Sequence, residues 1–446
     1  MENIYEILFS AVDNYKKEIL AAERHIWGTP ETGYREWKTH SFMKAEFEKL
    51  GYTVIEAGNI PGFYAEADTG REGPCVALFG ELDALIIPDH PECDKETGAV
   101  HACGHHCQCA AMLGVAAALK APQALDELCG KIRMYIVPAE ELIEIEYRKS
   151  LADKGIIKYY GGKQEFIYRG LLDGVDMALQ IHSGGRNLTT KAGGNGCVAK
   201  HYKFIGKATH AAGPADGINA LYAATNALGV SNALREQFSG NEKFRFHPII
   251  TSGGEAVNVI PAEVTVESFI RDGKMESIYA ANKKFNRAFA GCSAAMGCRL
   301  VVEDKHGYAP RKDDGNLNFV LGEIGKMVLP VENVHLTHGW DTGCTDMGDI
   351  SLIMPQATAY YGCSTKPGHS KEYITEFPED CLTSAKIQAG FCAYLLQNDA
   401  SFAKKVIAEA VVPCKSKEEY FAMADALSFT GDTVFYDDSG EITIKI

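Results

Sequence analysis

The sequence lacks a membrane-spanning run, a basic cluster and an N-terminal secretion signal. Its apolar runs fall short of the ~20 residues that a membrane helix needs. Acidic residues are in excess, 59 against 44 Lys and Arg, so the formal net charge is -15, which disfavours nucleic-acid and anionic-membrane partners. The start Met1-Glu2-Asn3 lacks the basic and apolar segments of a signal peptide. We therefore expect a cytoplasmic protein with no nucleic-acid or membrane partner.

Cysteine is also too sparse to make a disulfide framework. The chain has 14 cysteines in 446 residues, and without an export signal they are expected to be reduced. Repeats and low-complexity linkers are missing as well. Apolar residues at 46% and charged residues at 23% are typical of a globular protein. The length predicts two or three domains.

Short apolar runs that end in polar residues dominate the organisation of the chain. Each of the four runs is expected to be a buried strand that delivers reactive residues to one edge of a sheet. The runs lie at 76–79, 132–137, 178–181 and 358–361. Helical segments such as 110–119 lie between the runs, and the first twenty residues are expected to form a further amphipathic helix. Together with the runs, these segments predict an α/β fold. Its catalytic domain is a mostly parallel sheet with helices on both faces.

Residues 193–310 interrupt this pattern and predict a smaller inserted domain. Strand-like stretches alternate there with two helical stretches, which indicates a ferredoxin-like α/β unit with two helices on an antiparallel sheet. The predicted strands are 198–206, 247–252, 264–270 and 299–303, and the predicted helices are 218–238 and 275–296. We predict a catalytic metal-binding domain from 1–192 and 311–446, with 193–310 as a lid and dimerisation domain. The tail is expected to add a helix and a hairpin at 437–440.

The densest chemical motif is the segment 101–106, His-Ala-Cys-Gly-His-His. A thiolate and imidazoles suit zinc or manganese-like ions, and Gly104 allows a turn that presents Cys103 and His105 to one point. A structural zinc site is the alternative, but the two Cys pairs that usually form one are missing from this segment. The motif therefore favours a catalytic metal site.

Glu140 and Glu141 form the second signal. Most adjacent Glu pairs are solvated surface features, but this one follows an apolar strand and Pro138. One carboxylate can then bind a metal while the other acts as a base toward water, as amide hydrolysis requires.

Five single residues are candidate functional residues only because of their positions in the sequence. His182 and His369 follow predicted strands at the same sheet edge. His210, in the inserted domain, is a candidate oxyanion donor or a merely structural residue. Arg271 suits a substrate carboxylate, and Asn258 lies close to it in the sequence.

These motifs together resemble the peptidase M20 metallo-amidohydrolases. The family includes hippurate hydrolases, indole-acetyl-amino-acid hydrolases, aminobenzoyl-glutamate hydrolases and Xaa-Arg dipeptidases. The resemblance rests on the residues at 83–85, 101–105, 138–141, 182, 206–214, 253–261, 345–349 and 367–370.

The resemblance implies a role for each candidate residue. The ligands of two divalent metal ions, with zinc or manganese favoured, would be Cys103, His105, Glu141, His182 and His369. The other implied roles are general base for Glu140, orientation of a metal ligand for Asp83, oxyanion stabilisation for His210, and binding of the substrate carboxylate for Asn258 and Arg271. The resemblance also implies a homodimer in which His210 often acts on the partner's site. The chain departs from the family at His106, Cys107 and Cys109, where relatives usually have other residues.

The sequence therefore predicts a metal-dependent amidohydrolase that cleaves a small N-acyl amino acid or an aminobenzoyl-glutamate-like amide. A dipeptidase or carboxypeptidase with the same two-metal site is the nearest alternative. A thiol hydrolase with Cys103 as nucleophile leaves Glu140, His182 and His369 unexplained. A metal-loaded binding or scaffold protein is a third alternative, but it would not need Glu140.

Overall fold

A computed structural model describes residues 3–238, 240–437 and 439–445. Within them the helices, in chain order, are α1 (Ile4–Asn14), α2 (Lys16–Trp27), α3 (Trp37–Lys49), α4 (His105–Leu119), α5 (Ile145–Asp153), α6 (Gly162–Tyr168), α7 (Ala220–Leu234), α8 (Met275–Ala295), α9 (Gly315–Val328), α10 (Met347–Ile353), α11 (Asp380–Glu409) and α12 (Lys417–Ala426). The strands are β1 (Val54–Glu56), β2 (Phe63–Asp68), β3 (Cys75–Glu81), β4 (Leu85–Ile86), β5 (Ala99–Val100), β6 (Lys131–Val137), β7 (Met177–Gly184), β8 (Leu188–Thr190), β9 (Gly193–Gly194), β10 (Gly196–Ile205), β11 (Arg245–Phe246), β12 (Ile249–Ser252), β13 (Glu263–Asp272), β14 (Arg299–Tyr308), β15 (Arg311–Lys312), β16 (Val334–Leu336), β17 (Trp340–Asp341), β18 (Gln356–Cys363), β19 (Phe429–Tyr436) and β20 (Ile442–Ile444).

The chain divides into two compact units. Unit 1 comprises Met1–Gly193, Lys312–Trp340 and Thr345–Lys415, and unit 2 comprises Gly194–Arg311, Asp341–Cys344 and Ser416–Ile446. The sequence-based assignment of the whole of 311–446 to the catalytic domain is wrong for the tail. Strand β19 pairs antiparallel with β14, so this segment extends the sheet of unit 2.

Unit 1 is built on an eight-stranded mixed sheet of order β1-β2-β6-β3-β7-β18-β8-β16. The four apolar runs in the sequence form its centre, where β6, β3, β7 and β18 are mutually parallel. The prediction of a mostly parallel sheet fails toward the edges. Strands β1 and β2 pair antiparallel to their neighbours, and β8 is antiparallel to β18, although β16 is parallel to β8. These short strands carry no apolar run that would reveal their direction.

Helices cover both faces of the central strands. All of β3 is buried, and its side chains alternate between the faces. Val76 and Leu78 join the core that includes α4, whereas Phe79 stacks on Tyr135, which contacts Phe166 of α6. Helix α4 is apolar on every side and almost entirely buried, which is the pattern of a central helix.

Unit 2 has an antiparallel sheet whose main path is β11-β13-β10-β14-β19-β20. The burial of β13 alternates residue by residue, so one of its faces points to a core. Helices α7 and α8 pack on that face, with Ala223, Ala227, Phe285 and Phe289 among the residues in the core.

The first twenty residues form two helices, not the single predicted one. The backbone leaves the helical region at Tyr15 (φ -98°, ψ 13°). The apolar spacing does not reveal this break, because Val12 and Ile19 on its two sides pack into the same core. Among the described residues, no helix is both long and apolar enough to cross a bilayer.

Candidate active site

The central strands of unit 1 bring most of the predicted site residues to one edge of the sheet. Asp83 follows β3, and Glu140 and Glu141 follow β6. His182 lies near the end of β7, and His369 lies beyond the end of β18. Since these four strands are parallel neighbours, their carboxyl ends meet, which is where ligands bind in such sheets.

The turn at Gly104 places Cys103 and His105 side by side. Gly104 has φ +90° and precedes α4, a conformation that glycine adopts without strain. A Cβ at this position would lie 1.8 Å from the Ser183 Oγ atom. That hydroxyl donates a hydrogen bond of 2.8 Å to the Cys103 carbonyl, so the loop is tied directly to the end of β7.

Two histidines present their Nε2 atoms toward the Cys103 sulfur. His105 donates from Nδ1 to the Asp83 carbonyl at 2.8 Å, and His182 donates from Nδ1 to the Ser183 carbonyl at 2.8 Å. These bonds leave Nε2 as the ligating nitrogen of each ring. The His182 Nε2 atom lies 3.3 Å from Cys103 Sγ. Cys103, His105 and His182 thus form one group of donors within 4.8 Å of one another.

A second donor group shares the same sulfur. Cys103, Glu141 and His369 also lie within 4.8 Å of one another, with His369 Nε2 at 3.2 Å from Glu141 Oε1. The Glu141 amide donates to Asp83 Oδ2 at 2.8 Å, and the His369 amide donates to the Ala102 carbonyl at 2.9 Å. The backbone therefore holds both side chains toward Cys103.

The two adjacent glutamates have opposite pKa shifts. Burial, together with the charges of Glu81 and Glu141, raises the pKa of Glu140 well above its usual value. Burial also disfavours ionised Glu141, but the hydrogen bond and charge of His369 prevail and lower its pKa to about 2. Carboxyl groups whose pKa values are pushed apart suit different roles in one site.

A buried lysine pairs with two carboxylates beside these residues. Lys163 binds both Glu81 and Asp346, and none of the three side chains has measurable exposure. Glu81 also accepts from the Gln108 amide at 2.8 Å and lies 3.2 Å from His105 Nε2. The network therefore fixes the carboxylate that faces His105.

Sequence reasoning did not assign roles to this network. Glu81 ends an apolar run and Asp346 lies in one of the family-like motifs, so both carried a signal. Lys163 carried none, because it stands in no motif and a lysine is usually exposed.

The turn that carries the glutamates is braced by two further residues that the sequence did not reveal. Ala139 has φ +59°, and its amide donates to Glu36 Oε1 at 2.8 Å. The buried Arg148 guanidinium donates to the carbonyls of Ala139, Glu141 and Tyr160. Arg148 thereby gathers three carbonyl groups at the turn.

The residues of this site fit a pair of divalent cations. One thiol, three imidazoles and one carboxylate are donors that zinc and other borderline-soft ions accept. Asp83 Oδ1 is buried and lies 3.2 Å from Nδ1 of the His105 ring. Glu81, Glu140 and Asp346 act electrostatically on the single ammonium of Lys163, and Glu141 adds its charge beside Glu140. The acidic groups outnumber this ammonium, and bound cations would offset their charge.

The departure at His106 and Cys107 points away from the Cys103 groups. His106 is fully buried and binds Thr375 Oγ1 at 2.8 Å through Nε2, with Glu23 at 3.3 Å. Cys109 donates to the Glu81 carbonyl at 3.0 Å, so it supports the end of β3.

The other three candidates lie in unit 2 and do not gather at one point. His210 pairs with Val259 in a bridge, and the Ala211 amide donates to the Asn258 carbonyl at 2.9 Å, so His210 and Asn258 are neighbours. Arg271 lies near the opposite end of β13, where it pairs with Cys197, while Glu263 at the near end pairs with Ile205. At ~3.3 Å per residue, roughly 26 Å of strand separate these ends. Asn258 and Arg271 are therefore far apart within one chain, and their shared role in binding a substrate carboxylate stays a prediction.

The sequence model that describes the peptidase family M20/M25/M40 matches residues 77–393 of this chain. The chain belongs to this family. It is accordingly a metal-dependent amide hydrolase, and the resemblance and the enzyme class expected from the sequence are confirmed.

Relatives that are similar in sequence and in structure agree with this assignment. The chain is 28% identical to the Xaa-Arg dipeptidase of Mus musculus over 385 residues, which cover 82% of this chain and 81% of the relative. It is 29% identical to the N-acetyl-L-cysteine deacetylase of Bacillus subtilis over 312 residues, 67% of this chain and 70% of the relative. Its fold is similar to that of a dinuclear metal-binding M20 peptidase from Bacillus subtilis, with a TM-score of 0.63 and 20% identity over 86% of this chain and 99% of that one.

Proposed function

We propose that the protein hydrolyses the amide bond of an N-acyl amino acid, or of an aminobenzoyl-glutamate-like amide, at a two-metal site centred on Cys103. The observation that carries the proposal is the position of the Cys103 sulfur, which belongs to two donor groups at once. His105 and His182 would complete one metal site, and Glu141 and His369 the other. Zinc or manganese suits these donors.

Glu140 is the residue placed to move the proton. Two divalent ions bound at the site would supply the positive charge that polarises the scissile carbonyl and acidifies a water molecule. Glu140 lies against this site, with Oε2 at 3.9 Å from His105 Nε2. It would take the proton of the water and return it to the leaving amine. Its raised pKa favours the proton-holding state that this cycle requires.

Asp83 would orient the ligands without binding substrate. Its backbone carbonyl fixes His105, and its side chain fixes the Glu141 amide, so one residue positions a ligand of each metal.

Unit 2 supports the proposal of a lid that acts across a homodimer. His210 and Asn258 lie at one end of β13 and Arg271 at the other. One copy therefore cannot place all three around a small substrate, but two copies related by symmetry could. His210 would stabilise the oxyanion in the site of the partner.

A dipeptide is the second candidate substrate, and the Xaa-Arg dipeptidase relative favours it.

A thiol hydrolase is disfavoured, because burial and the charge of Glu141 raise the pKa of Cys103 well above its usual value. A thiol in that state is a weak nucleophile. A cytoplasmic location stays a prediction.

Replacement of the base tests the function. A screen of N-acyl amino acids and dipeptides should identify an amide that the metal-loaded protein hydrolyses. Addition of a chelator should stop this hydrolysis. The Glu140→Gln variant should then lose roughly 10²–10⁴-fold in kcat while its metal content, measured by elemental mass spectrometry, stays at the wild-type value.

The exposed Glu146 on α5 offers the matched control. Glu146→Gln should leave kcat unchanged. Full activity of Glu140→Gln would contradict the assigned base, and chelator-resistant hydrolysis that alkylation blocks would favour the thiol mechanism.

A further inference from the structure

A group of three buried cysteine thiols lies outside the candidate active site. Cys107 is in the first turn of α4, Cys363 is the last residue of β18, and Cys381 is in the first turn of α11. Their sulfurs lie within 4.8 Å of one another, and each residue is at most 3% exposed. The thiols therefore come from three elements, two of them consecutive (β18 and α11) and the third, α4, distant in sequence.

The spacing of two of the sulfurs matches that of thiolates around one metal ion. Sulfurs held at ~2.3 Å from a tetrahedral zinc ion lie roughly 3.8 Å apart. Cys363 Sγ and Cys381 Sγ are 3.8 Å apart.

The backbone at Cys363 is held in an unusual conformation. Its φ is +73°, which a residue other than glycine adopts only when its surroundings impose it. Its amide donates to Asp380 Oδ2 at 3.3 Å, and its carbonyl accepts from the Glu376 and Phe377 amides at 2.9 and 3.0 Å. The surrounding hydrogen bonds therefore fix the backbone from which the Cys363 side chain extends.

A nitrogen donor lies beside one of the three sulfurs. The His106 Nε2 atom is 3.3 Å from Cys107 Sγ. The ring is fully buried. Its Nε2 atom also contacts Thr375 Oγ1 at 2.8 Å and Glu23 Oε1 at 3.3 Å, whereas its Nδ1 atom has no hydrogen-bond partner among the described residues. A histidine next to three cysteines matches the Cys₃His donor set of closed structural zinc sites.

We propose that Cys107, Cys363 and Cys381 bind one zinc ion, with His106 as the fourth ligand. The ion would tie together the start of α4, the end of β18 and the start of α11. Its donors do not include any of the five residues assigned to the two-metal site, so this proposal does not depend on the proposed reaction.

Cobalt substitution in the Cys103→Ala variant tests the proposal. This variant removes the thiolate of the two-metal site, so thiolate-to-cobalt charge-transfer absorption then reports only on the other cysteines. We expect that absorption to remain in Cys103→Ala and to disappear in Cys103→Ala/Cys381→Ala, with one fewer bound ion per chain.

Cys392 provides the matched control, because it is also buried and lies about three turns further along α11. Cys103→Ala/Cys392→Ala should keep the absorption. Absence of the absorption in Cys103→Ala, or the same absorption in both double variants, would overturn the proposal.

X-ray absorption of the zinc-loaded Cys103→Ala protein gives a test that does not require the double variants to fold. Zinc should have sulfur neighbours at ~2.3 Å. A spectrum with only nitrogen and oxygen neighbours would overturn the proposal. Because neither readout requires turnover, a failure here is distinct from a failure of the proposed hydrolysis.

Discussion

At the scale of single residues, a buried lysine holds two carboxylates beside the candidate active site. Lys163 joins Glu81 and Asp346 in a fully buried network. Burial lowers the pKa of a lysine in general, but the charges of Asp346 and Glu81 outweigh it and raise the pKa of Lys163. The lysine therefore stays charged and keeps the carboxylate of Glu81 next to His105.

Replacing this lysine should destabilise the protein strongly. In Lys163→Met, two carboxylates stay buried without their cation, which should cost about 3–5 kcal/mol of unfolding free energy. The exposed pair of Lys149 and Asp153 on α5 gives the control, since Lys149→Met should cost less than about 1 kcal/mol. Urea denaturation of both variants makes the comparison, and equal losses would contradict the role of the network.

At the scale of elements, the central strands could be predicted from the sequence and the supports around them could not. The apolar runs of β3, β6, β7 and β18 are long enough to identify buried strands, and the residues after them therefore identified the site. Glu36 and Arg148 support the turn at Ala139 through contacts outside any local sequence pattern. The hydrogen bond from Ala139 to Glu36 joins segments more than 100 residues apart. No local pattern records such contacts. The pairing of β19 with β14 escaped prediction for the same reason.

The turn before α4 should determine the affinity of the site for metal ions. An added methyl group in Gly104→Ala would collide with Ser183 Oγ and displace Cys103 from the two donor groups. We expect at least about a tenfold loss of metal affinity in calorimetric titrations, which is about 1.4 kcal/mol.

Gly155 is the matched control for backbone strain alone. It also has a positive φ, +67°, but a Cβ there meets no atom within 4 Å. Gly155→Ala should lower stability by roughly 1–2 kcal/mol and leave metal affinity unchanged. Unchanged affinity in Gly104→Ala would show that the turn does not set the metal site.

At the scale of the whole molecule, the proposed homodimer makes two defective variants complementary. Glu140→Gln removes the base in unit 1, and His210→Ala removes the oxyanion donor in unit 2. If His210 acts on the site of the partner, a mixed dimer has one site with both defects and one intact site. The isolated mixed dimer should then have roughly half of wild-type activity, since one of its two sites is intact.

Co-expression of the two variants with different affinity tags, followed by isolation of the doubly tagged dimer, measures this directly. The same dimer assembled from Glu140→Gln alone should stay inactive. If His210 acts within its own chain, each mixed dimer has two singly defective sites, and no activity should return.

We propose that two metal ions share the Cys103 sulfur, and a crystal structure of the zinc-loaded protein with anomalous scattering at the zinc edge would show both ions. We expect two anomalous peaks bonded to Cys103 Sγ, one also bonded to His105 and His182 and the other to Glu141 and His369. A single peak at Cys103, or peaks that do not include its sulfur, would contradict it.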